Sequence, residues 1–305
     1  MRIAHFSDLH LLSLAGVGPH RFLNKRLTGY ANLRLKRGSI HRSSYVRAIA
    51  KEIYRHSVDH VVITGDITNL ALQPEFELAR EVLRDDLGLD ASHVSIVPGN
   101  HDLYTLGSQR EQRFAAYFAD YIASDLPSLG VNVPAGRFPF VKLRGPVAII
   151  GLSSAIARLP FVAAGHIGKP QLDALTRILA HGEIRSRTVV LALHHPIHNP
   201  PSRMKALLEG LSDAPSLIAC LQGVERGLIL HGHLHRRVQQ ELATREGSLT
   251  SVGATSASLH HENEARFAGY NVYEVDDGGR VARIEAHVFE PGTETFRLEP
   301  VPPHA

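Results

Sequence analysis

Short runs of aliphatic residues alternate with longer amphipathic segments along the first 235 residues of the chain. The runs are too short for helices and are bounded by glycine, proline or polar residues, which predicts buried strands. They lie at 1–8, 61–64, 93–97, 147–152, 187–193 and 227–230. The amphipathic segments at 43–56, 74–87 and 168–180 repeat apolar residues at helical spacing. Strands that alternate with helices predict an α/β fold built on parallel strands.

The pattern changes after residue 239, where shorter strands follow one another without helices between them. Asp276-Asp277-Gly278-Gly279 supplies a turn between two of these strands. We therefore expect strands at about 239–290 to complete the sheets in antiparallel fashion, and the tail at 299–303 to fray. No repeat or low-complexity linker divides the chain, which predicts a single domain over residues 1–305.

The long connection at 11–43 is a flap insertion in which basic and apolar residues are interleaved, above all at 19–37. Connections of this length are usually functional or carry structure of their own. A lid, a rim that attracts phosphate, a patch that contacts a membrane surface and a solvated helical flap packed on the domain are all compatible with the pattern.

Composition narrows the class of protein. Of 305 residues, 44% are hydrophobic and 21% charged, which is typical of a globular protein, and no apolar run approaches the roughly 20 residues of a membrane helix. Cys220 is the only cysteine and no apolar leader opens the chain, so we expect a reducing, cytoplasmic location. The net charge of +3 gives no reason to expect nucleic acid as a partner. The 20 histidines favour imidazole and carboxylate ligands for any metal.

Polar side chains follow five of the predicted strands at the point where each strand ends. They are Asp8 and His10, then Asp66, then Asn100, His101 and Asp102, then His194, and last His231 and His233. The carboxyl ends of parallel strands meet at one edge of a sheet, and that edge is where open α/β sheets bind their ligands. Buried without partners, these groups would cost free energy. Together they predict a metal site.

The order of these motifs resembles that of the calcineurin-like metallophosphoesterase superfamily. The motifs are Asp8-Leu9-His10, Gly65-Asp66-Ile67-Thr68-Asn69, Gly99-Asn100-His101-Asp102, His194, and Gly232 flanked by His231 and His233. The stretches 65–69 and 251–256 are most similar to the class III cyclic nucleotide phosphodiesterase branch. The resemblance implies a four-layer αββα sandwich, in which two mixed β-sheets are flanked by helices.

The resemblance also implies two metal ions bridged by Asp66, drawn from manganese, iron or zinc. One would be held by Asp8, His10, Asp66 and His233, and the other by Asp66, Asn100, His194 and His231. His195 then either supports a ligand from behind or packs beside the site, because members of the superfamily place the ligand two residues before the proline. His235 is expected to lie outside the ligand set.

The implied activity is hydrolysis of phosphodiester or phosphomonoester bonds by a metal-bound hydroxide, on small phosphate esters such as cyclic nucleotides. His101 would be the general acid, with Asp102 orienting its ring. Two alternatives stay open. One is a pyrophosphate hydrolase that acts on a lipid-linked substrate and contacts the membrane through residues 19–37. The other, less favoured because of the modest charge, is a nuclease. The sequence leaves the oligomeric state open.

Overall fold

The computed structural model describes residues 1–18, 22, 26–27 and 40–303, so the predicted flap at 19–37 lies almost entirely outside the described residues. The strands are β1 (Arg2–Phe6), β2 (His60–Ile63), β3 (Val94–Ile96), β4 (Val131–Val133), β5 (Gly136–Phe138), β6 (Phe140–Arg144), β7 (Val147–Gly151), β8 (Thr188–Ala192), β9 (Arg226–His231), β10 (Val238–Ala243), β11 (Ser248–Gly253), β12 (Gly269–Val275), β13 (Val281–Glu290) and β14 (Thr295–Pro300). The α-helices are α1 (Ser43–Arg55), α2 (Gln73–Glu81), α3 (Leu106–Arg110), α4 (Arg113–Phe118), α5 (Lys169–Ala180), α6 (Gly182–Arg185), α7 (Arg203–Glu209) and α8 (Ala214–Leu221).

Two six-stranded mixed sheets form the framework. The first sheet has the order β14-β13-β12-β1-β2-β3, and the second has the order β10-β11-β9-β8-β7-β6. Strands β1, β2 and β3 are parallel, as are β7, β8, β9 and β11, whereas the C-terminal strands β12 to β14 run antiparallel. This is the predicted mixed α/β architecture. Strands β10 and β12 to β14 are antiparallel to their neighbours as predicted, whereas β11 runs parallel to β9, contrary to the expectation of antiparallel strands from residue 239 onward.

The cores explain why the elements stack in layers. One apolar core joins α1 and the first sheet to inward-facing residues of the second sheet, such as Val190 and Leu228. Another joins α5 and α8 to the outer face of the second sheet, where Ile150 and Ile229 lie. Both sheets are thus covered on two sides, which fits the near-continuous apolar runs of their parallel strands. The predicted sandwich of two sheets flanked by helices is confirmed.

Two details differ from expectation. The helix predicted at 74–87 is regular only to Glu81 and then makes a π-helical turn, Val82–Leu87, which ends at Gly88. The tail is not frayed: β14 pairs with β13, Val301 is buried, and the Pro302 carbonyl accepts a hydrogen bond from Gln239 N. Among the described residues no helix is long and apolar enough to cross a membrane.

Candidate metal centre

Backbone strain is concentrated where the strand ends meet. Ten residues other than glycine have a positive φ in the described part of the chain, and five of them are Asp8, His10, Asp66, His233 and His235, at φ between 44° and 69°. Residues other than glycine rarely adopt this left-handed backbone conformation, and residues held in it cluster at functional sites. All five residues lie in the loops just beyond the ends of β1, β2 and β9.

Asp8, His10 and His235 form the first cluster. His235 Nε2 lies 3.1 Å from Asp8 Oδ1 and 3.2 Å from His10 Nε2. Two ligands about 2.1 Å from a common ion stand roughly 3 to 3.5 Å apart, so this spacing suits a shared cation. The three residues are mostly withdrawn from water, and together they form a candidate metal-binding group.

Asp66 lies between this cluster and a second one, which contains His194 and His233. Its Oδ2 is 3.4 Å from His194 Nε2 and 4.0 Å from His10 Nε2. His233 lies next to His194, with 5.1 Å between the centres of the two rings. The backbone N–H of His233 donates a hydrogen bond to Asp8 Oδ2 over 3.1 Å. One carboxylate therefore faces imidazoles from both sheets.

Backbone carbonyls fix the orientation of three of the histidine rings. His194 Nδ1 donates to the Thr64 carbonyl over 2.7 Å, and His233 Nε2 donates to the Glu209 carbonyl over 2.9 Å. His101 Nδ1 donates to the Asn69 carbonyl over 2.7 Å. A ring nitrogen bound in this way fixes the tautomer and leaves the other nitrogen as the possible ligand or acid.

Four buried polar atoms of the candidate ligand residues lack a hydrogen bond of good geometry within the described residues: Asp8 Oδ1, His10 Nδ1, Asn100 Oδ1 and His194 Nε2. Buried polar atoms normally have a hydrogen-bond partner, so these four need a specific explanation. All four are oxygen or imidazole donors of the kind that iron, manganese and zinc accept. The residues present therefore fit a bound metal.

The electrostatics favour an ionised carboxylate at Asp66 and neutral imidazoles at His10 and His233, but not at His194. Burial raises the pKa of Asp66, but the surrounding imidazoles, His194 first, bring it well below the usual value. Burial lowers the pKa of His10 far below normal and that of His233 to about 3. His194 is the exception: burial lowers its pKa, yet Asp66 and then Asp8 raise it to about 9. The centre therefore holds ionised carboxylates beside neutral imidazoles, and at His194 it favours a positive charge.

Two glycines let the strand ends approach this closely. A Cβ at Gly99 would overlap the Asp66 carboxylate, and a Cβ at Gly232 would overlap Ser7 and the Asp8 carboxylate. Only glycine leaves room for the acidic side chains at these two positions.

Residues 1–237 match the family model described as calcineurin-like phosphoesterase. The chain belongs to this family. It is accordingly a metal-dependent hydrolase of phosphoric esters, and the dimetal enzymes of the family use two metal ions. No curated protein sequence matches the chain significantly.

Several solved structures share the fold at low sequence identity. A dimetal phosphatase from Danio rerio is 13% identical, with a TM-score of 0.60, and the match covers 94% of this chain and 95% of that one. The purple acid phosphatase PPD1 of yellow lupin (Lupinus luteus) seeds is 10% identical, with a TM-score of 0.59 over 97% of this chain and 52% of that one. The sulfate thiohydrolase SoxB of Thermus thermophilus is 17% identical, with a TM-score of 0.50 over 97% and 58%. These likenesses establish the fold alone.

Within this calcineurin-like fold, His231 and His235 are placed differently from the expectation. His231 is the last residue of β9; it is buried, packs against Gly253, and contacts the Gly232 carbonyl over 3.3 Å. Burial lowers its pKa to about 4. His231 belongs to none of the metal-binding groups of the described residues, whereas His235 lies beside Asp8 and His10. The missed signal is the run Gly232-His233-Leu234-His235, a Gly-His-x-His motif that begins at the glycine.

His195 has both ring nitrogens engaged, although it lies next to the centre. Its Nδ1 pairs with Ser154 Oγ and its Nε2 with the Ala163 carbonyl, each over 2.8 Å. His194 and His233 face the centre instead. His195 also lies with His194 and His233 in one candidate metal-binding group, so the choice of His194 over His195 stays a prediction.

Asp102 does not orient the His101 ring, contrary to the prediction. Its carboxylate accepts hydrogen bonds from the backbone N–H groups of Gly99, Ile67 and Thr68 at 2.9–3.3 Å. Burial and then the Asp66 charge raise the pKa of Asp102 to about 7. Asp102 instead fastens the loop after β2 to the loop after β3, because its two oxygens reach both backbones.

A pocket of about 950 Å³ opens in front of the centre. His10, Asp66, Asn100, His101, His233 and His235 line its floor. Lys205, Arg236 and Arg266 lie on its walls, and none of the three has an ion pair within the described part of the chain. The pocket therefore offers unpaired positive charge beside the candidate metal centre.

Proposed function

We propose that a dinuclear metal centre in this pocket hydrolyses small phosphate esters. In this proposal Asp8, His10 and His235 hold one ion, Asn100, His194 and His233 hold the other, and Asp66 bridges them. The observation that carries the proposal is the convergence of orphaned ligand atoms on both sides of Asp66. Relative to the expectation from sequence, His235 joins the set, His233 changes sides and His231 leaves it.

The bound ions would supply Lewis acidity toward water and toward the phosphoryl oxygens. Manganese, iron and zinc all suit the oxygen and imidazole donors. The protein adds the positions of these donors and a bridging carboxylate that stays ionised, because the neighbouring imidazoles lower its pKa.

His101 is the proposed general acid. Its ring lines the pocket, 5.0 Å from the His10 ring, and lies within the same group as Asp66. The Asn69 carbonyl accepts a hydrogen bond from Nδ1–H in both charge states of the ring, so Nε2 is the atom that would give a proton to the leaving oxygen. Asp102 supports this role from a distance, by holding the two loops together.

The substrate we propose is a small phosphodiester, such as a cyclic nucleotide. The pocket volume is of the size that encloses small organic ligands, about 300–1,000 Å³. Lys205, Arg236 and Arg266 suit an anionic ester, since their charges are otherwise unpaired within the described residues.

A substrate panel tests this proposal. Enzyme reconstituted with manganese, iron or zinc is assayed on cyclic nucleotides, glycerophosphodiesters, nucleotide pyrophosphates and p-nitrophenyl esters. We expect metal-dependent hydrolysis with the highest kcat/KM on a diester. Absence of hydrolysis on every member with every metal would contradict the proposed activity.

A second candidate is the hydrolysis of a lipid-linked pyrophosphate. The observation that favours it is a set of exposed apolar side chains close to the pocket, among them Phe161 and Leu207. Hydrolysis of a pyrophosphate that carries an acyl chain is compared with hydrolysis of its water-soluble counterpart. Burial of one large apolar group contributes enough binding free energy for a preference of about 10-fold. A larger preference in kcat/KM for the acylated compound would favour the lipid substrate.

A further inference from the structure

Helix α7 is unusual because none of its seven residues is buried. Met204, Leu207 and Leu208 are exposed, and Leu207 shows 71% of its surface. Most helices in a globular protein cover a core with their apolar side. The apolar residues of α7 face water instead, so the fold itself does not account for them.

The loop at 156–165 adds two more large apolar side chains beside α7. Leu159 is exposed, and Phe161 shows 85% of its surface with φ at +66°. A bulky aromatic residue in the left-handed region is a strained outlier, and no burial of its side chain compensates for the strain. The conformation holds Phe161 out into solvent.

Backbone hydrogen bonds fasten the loop to the end of α7. Ala163 N donates to the Leu208 carbonyl over 2.7 Å, and Gly165 N donates to the Gly210 carbonyl over 2.9 Å. The five apolar side chains therefore belong to one surface, which we call the apolar rim. The rim consists of Leu159, Phe161, Met204, Leu207 and Leu208, and it holds half of the ten exposed large apolar side chains of the described residues.

The charges on the apolar rim are basic. Arg203 and Lys205 stand among its residues, and neither has an ion pair within the described part of the chain. Glu209 is the one acidic residue in the segments 156–165 and 200–209, and it lines the pocket. Protein interfaces are depleted in lysine, whereas exposed Phe and Leu beside Lys and Arg are typical of surfaces that enter the interface of an anionic membrane.

We propose that the apolar rim docks the enzyme onto an anionic phospholipid surface. Ala163, Lys205 and Glu209 line the pocket from the same two segments, so docking would place the mouth of the pocket beside the headgroups. Phe161 and Leu207 would insert among the acyl chains, and Arg203 would contact the phosphates. The docking does not depend on which ester the pocket cleaves.

Vesicle sedimentation with the full chain tests the docking. Vesicles of phosphatidylcholine alone are compared with vesicles that also contain phosphatidylglycerol, at low and at physiological salt. We expect binding to the anionic vesicles that weakens as salt rises. The double variant Phe161→Ser/Leu207→Ser should bind at least about 10-fold more weakly, since each side chain loses its transfer from water. Arg203→Gln should lose part of the preference for the anionic vesicles.

Tyr54→Ser/Leu298→Ser is the matched control, because it removes two exposed apolar side chains on α1 and β14. It should bind as the natural protein does. Both double variants should keep their Tm and their hydrolysis of a soluble ester, which separates loss of docking from loss of fold or activity. Met204→Ser, a milder change on the same rim, should give a smaller loss of binding.

Three results would overturn the proposal. The first is a natural protein that does not sediment with anionic vesicles. The second is a Phe161→Ser/Leu207→Ser variant that binds these vesicles as strongly as the natural protein, which would assign binding to another part of the chain. The third is a dimer in analytical ultracentrifugation that this variant converts to a monomer, which would make the rim a contact between two copies.

Discussion

His231 and His235 are four residues apart, and they differ in what the backbone does between them. His231 still belongs to β9, whereas His235 lies beyond the left-handed residue His233 and reaches Asp8. We expect His235→Ala to lose one metal ion per chain and to lower kcat/KM by at least the roughly 10–100-fold that loss of a supporting contact costs. Metal analysis and steady-state kinetics measure both effects.

The matched variant is His231→Ala. It removes a buried ring and should cost about 1–3 kcal/mol of unfolding free energy while the metal content stays unchanged. If His231→Ala lost the metal and His235→Ala kept it, the ligand set derived from the sequence would be the right one.

The role of His101 is tested by the leaving group. His101→Ala should slow hydrolysis of an alkyl phosphodiester by about 10²–10⁴-fold, because an alkoxide needs a proton when it leaves. An aryl diester leaves as a stable phenolate and should be slowed far less. Metal content should stay unchanged in this variant. Equal losses on both esters would remove the acid role and leave His101 as a binding residue.

Sequence patterns located most of the site, because each candidate residue follows a recognisable strand. They assigned His231 and His233 and set His235 aside, and the choice was open to this error for a physical reason: residues 231, 233 and 235 are spaced by two, and side chains at that spacing share one side of a strand. Only the end of β9 at His231 and the turn after it separate the packing histidine from the two that reach the centre.

At the scale of elements, Glu75 ties the start of α2 to the loop after β2. Its Oε2 accepts the backbone N–H groups of Leu70 and Leu72 at 2.9 and 3.0 Å. Burial raises the pKa of Glu75 to about 8. Above about pH 4.5 the unfolded chain loses the Glu75 proton, whereas the folded protein keeps it until about pH 8. The free energy of unfolding therefore falls as the pH rises from about 4.5 to about 8.

Glu75→Gln should remove most of this pH dependence, because the amide oxygen keeps the two acceptor contacts and no charge is buried. Urea unfolding at pH 5, 7 and 9 measures the effect, with Glu77→Gln on the exposed side of α2 as the control. The natural protein and the control should lose a few kcal/mol of unfolding free energy across this range, and Glu75→Gln much less. Parallel curves for all three proteins would show that Glu75 is ionised in the fold.

The tail and α7 show why other elements escaped prediction. Residues 299–303 carry three prolines, which suggests fraying, yet the pairing of β14 with β13 and the burial of Val301 are set by distant strands. α7 does carry Met204, Leu207 and Leu208 at helical spacing, but with seven residues it is shorter than the window in which such periodicity is recognised. The tail depends on distant contacts, and α7 is too short for its local pattern to stand out.

At the scale of the whole molecule, the centre lies where the two sheets meet. The first sheet provides Asp8, His10, Asp66 and Asn100, and the second provides His194, His233 and His235. The His194 ring hydrogen-bonds to the Thr64 carbonyl, which joins the loops of the two sheets. Parallel strand order could be predicted from the alternation of strands and helices, but the face-to-face placement of the sheets required the resemblance to a known family.

The most direct test of the account is the metal content of the natural protein and of Asp66→Ala, measured by inductively coupled plasma mass spectrometry after reconstitution. Asp173→Ala, which changes an exposed aspartate on α5, is the control. The account predicts two ions per chain in the natural protein and the control, and a loss of both ions in Asp66→Ala. Two ions retained in Asp66→Ala, or none bound by the natural protein, would contradict a centre bridged by Asp66.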